Sequence, residues 1–351
     1  MSKKVRQDGA CVPGVQLQKH RPARFHLRML QLLLPAASAL RMCDASQPLR
    51  MSDASQPKLA VMVNGLPGAM GREIAAACLR RGLDVAPVAL TGPNSAGEIS
   101  VDDMRGGSST PVHLYGPDRR DEAAQRLREA YPEPGSIVCI DFTLPTAVNS
   151  NAEWYVQHGL PFVMGTTGGD REALAACIEK ADAYCVIAPN MAKQIVALQA
   201  ALEGIAGEFP GSFDGYTLRV QESHQSTKAD TSGTAKALSA TLATLTGAPF
   251  SDEQIEQVRD RPAQLAGGGP AHAGVSPVPE QALDGHAFHT YSLVSGDGTV
   301  EFQFRHNVQG RTVYAEGSVD AAVFLATRVA SGGDGAQRQF SMVDVLRAGA
   351  M

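Results

Sequence analysis

The sequence predicts an α/β protein: a doubly wound parallel sheet plus a second α+β domain built on an open mixed sheet. Three observations predict it. Between residues 59 and 188, short apolar runs of strand length alternate with stretches of helical period. A glycine turn joins the first of these strands to the first helix. Beyond residue 216 the pattern changes to long alternating runs separated by hairpin turns.

The chain has 351 residues, room for two domains. Its first 57 residues stand apart, with nine Lys and Arg against three Asp, the apolar run LQLLLPAASAL and a repeat, RMCDASQP then RMSDASQP. An Arg-rich, acid-poor leader reads as an organellar transit peptide, plastid or mitochondrial, because a basic amphipathic segment suits import receptors and membrane surfaces. A disordered tail, or translation from Met51, is the alternative, with a cytoplasmic protein as its consequence. Met29 to Leu40, the longest apolar run, falls short of the roughly 18 residues that cross a bilayer, so a soluble protein with no membrane partner is expected. Removing the leader moves the formal charge from −5 to −11, which argues against nucleic acid as a partner. The six cysteines form no Cys-x-x-Cys pair and read as reduced core thiols.

The first domain begins at residue 58. Leu59 to Asn64 is an apolar strand suited to burial on both faces. The turn Gly65-Leu66-Pro67-Gly68-Ala69-Met70-Gly71 follows, then a helix from about Gly71 to Arg81 with Met70, Ile74 and Cys78 on one face. This order suits a dinucleotide pyrophosphate: Gly65 permits the turn, Gly68 lets the backbone approach the phosphates, Gly71 packs helix on strand, and the helix N-terminus offers free N–H groups. It is the Rossmann-type arrangement. A strand from Asp84 to Leu90 ends in Thr91-Gly92-Pro93, with neither the carboxylate that binds the ribose of NAD nor the basic residue that accommodates the phosphate of NADP. Both coenzymes stay open.

Further strands run Ser136 to Phe142, Leu160 to Met164 and Tyr184 to Ala188, with helices Thr146 to His158 and Arg171 to Lys180 between them. Ligands bind such sheets at the carboxyl ends of the strands. Asp141-Phe142-Thr143, Gly165-Thr166-Thr167 and Ala188-Pro189-Asn190 fall there.

A helix from Ala192 to Ile205 leads to a strand from Tyr216 to Glu222 and the loop Ser223 to Thr234, followed by a helix from about Ala235 to Leu245. Asp230, Thr231 and Ser232 suit its cap, which leaves the N–H groups of Gly233 and Thr234 for an anion. His224 titrates near neutrality and Lys228 brings a positive charge and a proton, so the loop carries the best chemistry in the chain. The runs His286 to Val294, Thr299 to Asn307 and Thr312 to Ser318 predict strands of an open sheet. His286 and His289 read as strand residues, and no metal site is expected. Gly267-Gly268-Gly269-Pro270 marks an irregular, mobile stretch.

ESHQSTKADTSGTA, Glu222 to Ala235, resembles the signature loop of the dihydrodipicolinate reductases, now called 4-hydroxy-tetrahydrodipicolinate reductases, in their plant-type form. The likeness extends through GLPGAMGREIA, DFTLP, FVMGTTGG, APNMA, GHAFHTYSLVSGDGTVEF, HNVQGRTVYAEG and FSMVDVL, from about Lys58 to Leu346. It implies reduction of a cyclic dicarboxylate imine with NADPH or NADH in lysine synthesis via diaminopimelate, in a plastid homodimer or homotetramer. It also implies three parts: a leader at 1–57, a nucleotide domain at 58–191 with 320–351, and a substrate and oligomerisation domain at 192–319. Carried over by position, Gly65, Leu66, Pro67, Gly68, Ala69 and Met70 hold the cofactor. So do Thr91, Gly165, Thr166 and Thr167, and Ala188, Pro189, Asn190 and Met191. His224 is the proton donor or acceptor and Lys228 a proton donor, while Gln225, Lys228, Ser232, Gly233 and Thr234 contact the substrate. Gln225 stands where many bacterial members have a second histidine, and Gly92 where some have an arginine. An oxidoreductase for another imine or aldehyde, or a nucleotide-binding redox sensor, would share the scaffold; joint presence of His224 and Lys228 speaks against the sensor.

Overall fold

The computed structural model describes residues 59–349 except 96, 108, 182, 269–275 and 333–336. The leader with its repeat, and Gly269 and Pro270, lie outside the described residues.

Strand β1, Ala60–Asn64, is buried along its whole length. Helix α1, Ala69–Arg80, starts two residues before the expected position, because Gly68 already caps it. The single strand expected from Asp84 to Leu90 is two: β2, Asp84–Val85, pairs with β1, whereas β3, Val88–Leu90, joins another sheet. Pro87 lies between them, where the chain breaks, and has no N–H for a ladder. That second sheet, β3-β5-β4, contains β4, Gly97–Val101, and β5, Thr110–Tyr115, which the sequence reading did not find; nor did it find α2, Arg120–Ala130.

Strand β6, Ile137–Asp141, helix α3, Val148–Gln157, strand β7, Phe162–Met164, helix α4, Arg171–Ala181, and strand β8, Cys185–Ile187, follow as expected, with boundaries trimmed by a few residues. The main sheet has the order β13-β8-β7-β6-β1-β2, with β13 at Gln339–Phe340, and every pair in it is parallel. Alternate residues face opposite layers. Val61, Val63, Val138, Ile140 and Val163 enter one core with α1 and with α8, Thr312–Ala330. Met62, Cys139, Phe162 and Met164 enter the other, beside α2 and α3. Full burial of each such side chain stabilises the fold by about 1.5–3 kcal/mol before chain entropy is counted. Chain order reverses between β1 and β6, so their carboxyl ends open a crevice.

After α5, Lys193–Glu208, strand β9, Thr217–His224, runs two residues beyond its expected end, so Ser223 and His224 belong to the sheet. Helix α6, Gly233–Thr246, strand β10, Ile255–Val258, helix α7, Arg261–Ala266, and the long strands β11, His286–Val294, and β12, Glu301–Gln309, complete this part. The sheet order is β10-β9-β11-β12, parallel at β9–β10 and antiparallel elsewhere, a mixed sheet as expected. Thr312 to Ser318 is not a strand: it opens α8. The buried positions Ala315, Val319, Ala322 and Leu325 recur at helical spacing once the window is long enough, and the helix returns to pack on α1 and β6. The last helix, α9, Met342–Arg347, is capped by Ser341 and Asp344. Among the described residues, no helix is long and apolar enough to cross a membrane. Cys78, Cys139 and Cys185 are buried free thiols, and burial pushes Cys78 up to about 12.

Candidate functional site

The crevice is built by contacts that admit no side chain. Gly65 has φ +108°, and a Cβ there would lie 2.5 Å from the Phe142 carbonyl oxygen after β6. A Cβ on Gly68 would lie 2.7 Å from Gly65 O, and one on Gly71 2.9 Å from the same carbonyl. The turn is thereby folded back on itself, with Gly68 N donating to Gly65 O at 2.8 Å. No side chain caps α1, so its first N–H groups remain available to an anion. This is a cradle of the kind a dinucleotide pyrophosphate requires.

A buried polar network fixes the strand ends around it. Asn64 Oδ1 accepts from Leu90 N at 2.7 Å, and its Nδ2 donates to Tyr155 Oη at 2.6 Å. The Tyr155 hydroxyl donates to Asp141 Oδ2, also at 2.6 Å. Asp141 is fully buried and accepts further bonds from Asn151 Nδ2 and from the main chain and hydroxyl of Thr143. Burial and then the Asp141 charge hold the Tyr155 hydroxyl far above its ordinary pKa, so it stays a donor.

Beside this network lies a cavity of about 430 Å³, with Thr91 and Gly92 on one side and Arg120 and Leu144 on the other. Leu144 is 70 % exposed, a flat apolar surface open to a ligand. The Arg120 guanidinium donates to Asn151 Oδ1 at 2.7 Å and, at 3.4 Å, to Ser150 O, while its buried Nε has no partner. Neighbouring Arg119, by contrast, is paired with Glu122.

A second cavity, about 640 Å³, lies between the ends of the main-sheet strands and the loop after β9. Gly165, Thr167, Pro189, Asn190 and Met191 line one side; Lys228, Ser232, Gly233 and Thr234 line the other. Asn190 Nδ2 donates to Thr234 Oγ1 at 3.0 Å and joins the two walls. Thr166 and Ala188 face an adjoining cavity instead. His224 and Gln225 are not among the lining residues.

The loop is held from beneath by Glu222, which is fully buried. One of its oxygens pairs with Arg259; the other accepts from Ser232 N at 2.9 Å. Arg259 Nε also donates to Lys228 O at 2.9 Å, so one guanidinium ties Glu222 of β9 to the middle of the loop. The expected Ser232 cap is not made by its side chain; Glu222 takes the main-chain N–H of that residue instead. Lys228 lines the cavity, and its Nζ pairs with the exposed Asp230 at 2.6 Å.

His224 Nε2 is 3.0 Å from His289 Nε2, and His289 Nδ1 is 3.0 Å from Tyr291 Oη. Burial first, then the charges of Arg259 and Lys228, push His224 down to about 3. His289 lies well below its usual range, mainly through burial. Both rings are therefore neutral at physiological pH, and the basic residues that line the cavity are Arg171, Lys228 and Lys236. His286 and His289 do not converge: three positions apart on β11, they face opposite sides of the sheet, and His286 bonds Ser223 Oγ at 2.8 Å. Glu222, His224 and His289 do converge, with ligand atoms within 4.8 Å of one another. Arg259 already pairs with that carboxylate and the two rings bond each other, while Glu222 Oε2 stands 3.7 Å from His224 Nε2, beyond hydrogen-bond length.

Arg120, Glu222, Arg259 and His289 were absent from the sequence-derived site. Glu222 stands in the quoted loop, but no local spacing ties it to Arg259 or Ser232.

Two family models match the chain: "Dihydrodipicolinate reductase, N-terminus" over residues 59–191, and "Dihydrodipicolinate reductase, C-terminus" over 195–346. Chloroplastic 4-hydroxy-tetrahydrodipicolinate reductase 1 of Arabidopsis thaliana is 43% identical over 314 residues, 90% of this chain and 85% of that protein. A probable chloroplastic 4-hydroxy-tetrahydrodipicolinate reductase 1 of Oryza sativa subsp. japonica is also 43% identical, covering 83% of this chain and 79% of its own length. Among solved structures, a dipicolinate-bound dihydrodipicolinate reductase from Paenisporosarcina sp. TG-14 shares the fold, with a TM-score of 0.53 and 19% identity over 81% of this chain and 97% of that one.

Proposed function

The chain belongs to the dihydrodipicolinate reductase family, and from that premise we propose that it reduces 4-hydroxy-tetrahydrodipicolinate to tetrahydrodipicolinate in lysine synthesis via diaminopimelate. One observation carries the reading beyond membership: the 640 Å³ cavity sets Lys228 and the N-terminus of α6 against the carboxyl ends of the nucleotide-side strands.

A reduced nicotinamide held in this cavity would supply the hydride. The glycine turn, Gly65 to Met70, would hold the pyrophosphate, and Gly165 to Thr167 with Ala188 to Met191 would hold the nicotinamide half. The main-chain N–H groups of Gly233 and Thr234 hold one substrate carboxylate, with Ser232 and Gln225 beside them. Lys228 neutralises the second carboxylate and gives the proton that completes reduction, exchanging its exposed partner Asp230 for the substrate. His224 enters as a neutral imidazole, donor or acceptor of a proton behind the Lys228 loop.

For the coenzyme, NADPH is the preferred of the two. The end of β3 carries no carboxylate to select NAD, and Arg120 brings an incompletely bonded guanidinium to the cavity beside Thr91. Residues 58–191 with 320–351 form the nucleotide domain and 192–319 the substrate and oligomerisation domain of a homodimer or homotetramer in the plastid, with the leader removed on import. Light scattering of the purified protein checks the assembly, and N-terminal sequencing after import into isolated chloroplasts checks the leader.

The deciding assay supplies aspartate semialdehyde and pyruvate with the preceding synthase and follows NADPH and NADH oxidation. Synthase-dependent oxidation is expected. Bound nucleotide without oxidation would move the function to another imine or aldehyde.

A further inference from the structure

The β9, β11 and β12 strands place Glu222, His289 and His306 in one cross-strand row on the face beneath α6. His224, two residues after Glu222, lies on the same face and meets His289 diagonally. We propose that His289, held by Tyr291, is a positioning residue that fixes which nitrogen of His224 carries its proton. The proposal rests on His224 taking part in the reaction described above.

A neutral imidazole has one N–H and one lone pair, so two Nε2 atoms 3.0 Å apart bond only if one carries the proton and the other does not. The direction follows from the Tyr291 end of the chain. The buried Tyr291 hydroxyl has His289 Nδ1 as its hydrogen-bond partner and donates to it, so His289 holds its own proton on Nε2 and His224 Nε2 is left as the acceptor. Burial holds Tyr291 above its ordinary pKa, so that hydroxyl keeps its proton. Every ring nitrogen and hydroxyl between Tyr291 and His224 Nε2 is satisfied in this orientation, and reversing it would take from the buried Tyr291 hydroxyl the acceptor it has in His289 Nδ1.

The chain sets orientation and does not supply protons. It ends on Tyr291, which is fully buried, and so has no outlet to solvent. His306 packs against His289 with ring centroids 4.5 Å apart, but both its nitrogens are buried without a hydrogen-bond partner, so it extends no relay. The charged groups around His289 are Arg259 and Lys228, with Glu222 opposite it on β9; the neighbouring titratable rings are His224, His306 and Tyr291. Burial first, and then the two cations, keep both imidazoles neutral even with the Glu222 carboxylate 3.7 Å from His224 Nε2, so the tautomer, not the charge, is what His289 controls.

The test reads the tautomer directly and its kinetic consequence. In the full-length protein, ring ¹⁵N spectra assigned with His224→Gln are expected to show His224 Nε2 as an unprotonated nitrogen. His289→Phe removes the donor: kcat is expected to fall roughly tenfold to a hundredfold with nucleotide Kd unchanged. The acid limb of its kcat profile is expected to move to higher pH, because the neutral form of His224 has lost a stabilising bond. His289→Gln keeps an N–H donor and restores most of the rate; should His289→Phe fail to fold, the spectra and the pH profile of His289→Gln decide. A protonated Nε2 in the wild-type spectra, or unchanged kcat and pH profile in His289→Phe beside an inactive His224→Gln, would overturn the proposal. An active His224→Gln would instead remove the mechanistic reading on which it stands.

Discussion

Replacing Arg120 with leucine keeps much of the apolar stem and removes a guanidinium that faces the 430 Å³ cavity beside Thr91. Its Nη2 is spent on Asn151 at 2.7 Å, but the 3.4 Å contact of Nη1 to Ser150 O is weak, so the terminal nitrogens retain donor capacity for a phosphate. A charge-assisted hydrogen bond contributes about 1.5–3 kcal/mol, and each 1.4 kcal/mol is a factor of ten. Loss of one such bond to the 2′-phosphate therefore raises the Kd for NADPH by roughly tenfold to a hundredfold. NADH lacks that phosphate, so its Kd should move by less than about twofold on the same reasoning. Fluorescence titration of both coenzymes, with 2′,5′-ADP and 5′-AMP as fragments, reads the ratio without any turnover. Arg120→Lys, which keeps the charge but not the fork, should fall between. Equal weakening of both coenzymes would mean that Arg120 only ties α2 to α3 through Asn151, and the coenzyme argument would fail.

Lys228→Ala should lower kcat by about a hundredfold or more while nucleotide affinity stays within a factor of about two, since its ammonium faces the second cavity and not the glycine turn; full activity would take Lys228 out of the mechanism. Gly65→Ala forces a side chain to φ +108° and against the Phe142 carbonyl, so a melting temperature several degrees lower and loss of nucleotide binding are expected in calorimetry and titration. Acidification should destabilise the fold. His224, His289 and His306 all have folded pKa values below that of an unfolded histidine. Between the unfolded value near 6.5 and about 3 for His224, the unfolded chain binds protons that the folded one refuses. Stability is thus present above pH 6.5 and is lost on the way down, by up to about 1.4 kcal/mol per pH unit for each such histidine. Urea midpoints at pH 7.5, 6 and 5 measure it, and a flat series would refute the buried neutral histidines.

The glycine turn was legible because each of its requirements is local. Gly65 must take a positive φ, Gly68 and Gly71 must have no Cβ, and the apolar run before them must be a strand; all of this is written within a dozen residues. The doubly wound order was legible for the same reason, since β1, β6, β7 and β8 of the main sheet carry apolar residues on both faces. Short windows misled where the defining feature was longer or was a single breaker. Seven residues from Thr312 read as a strand until the helical spacing continued to Ala330, and Pro87 split one strand between two sheets.

By itself, then, the sequence determined the α/β class, the phosphate cradle and the loop that carries His224 and Lys228. Tertiary structure alone decided the rest. Arg120 comes from a helix that the apolar pattern hardly marks, and it meets the end of β3 only because β3 leaves the main sheet to pair with β5. Arg259 reaches Glu222 from the end of β10 across 37 residues, and His289 reaches His224 across 65. Such pairings depend on strand register, which the whole set of core contacts fixes by burying one face of each strand; no neighbouring residues encode it.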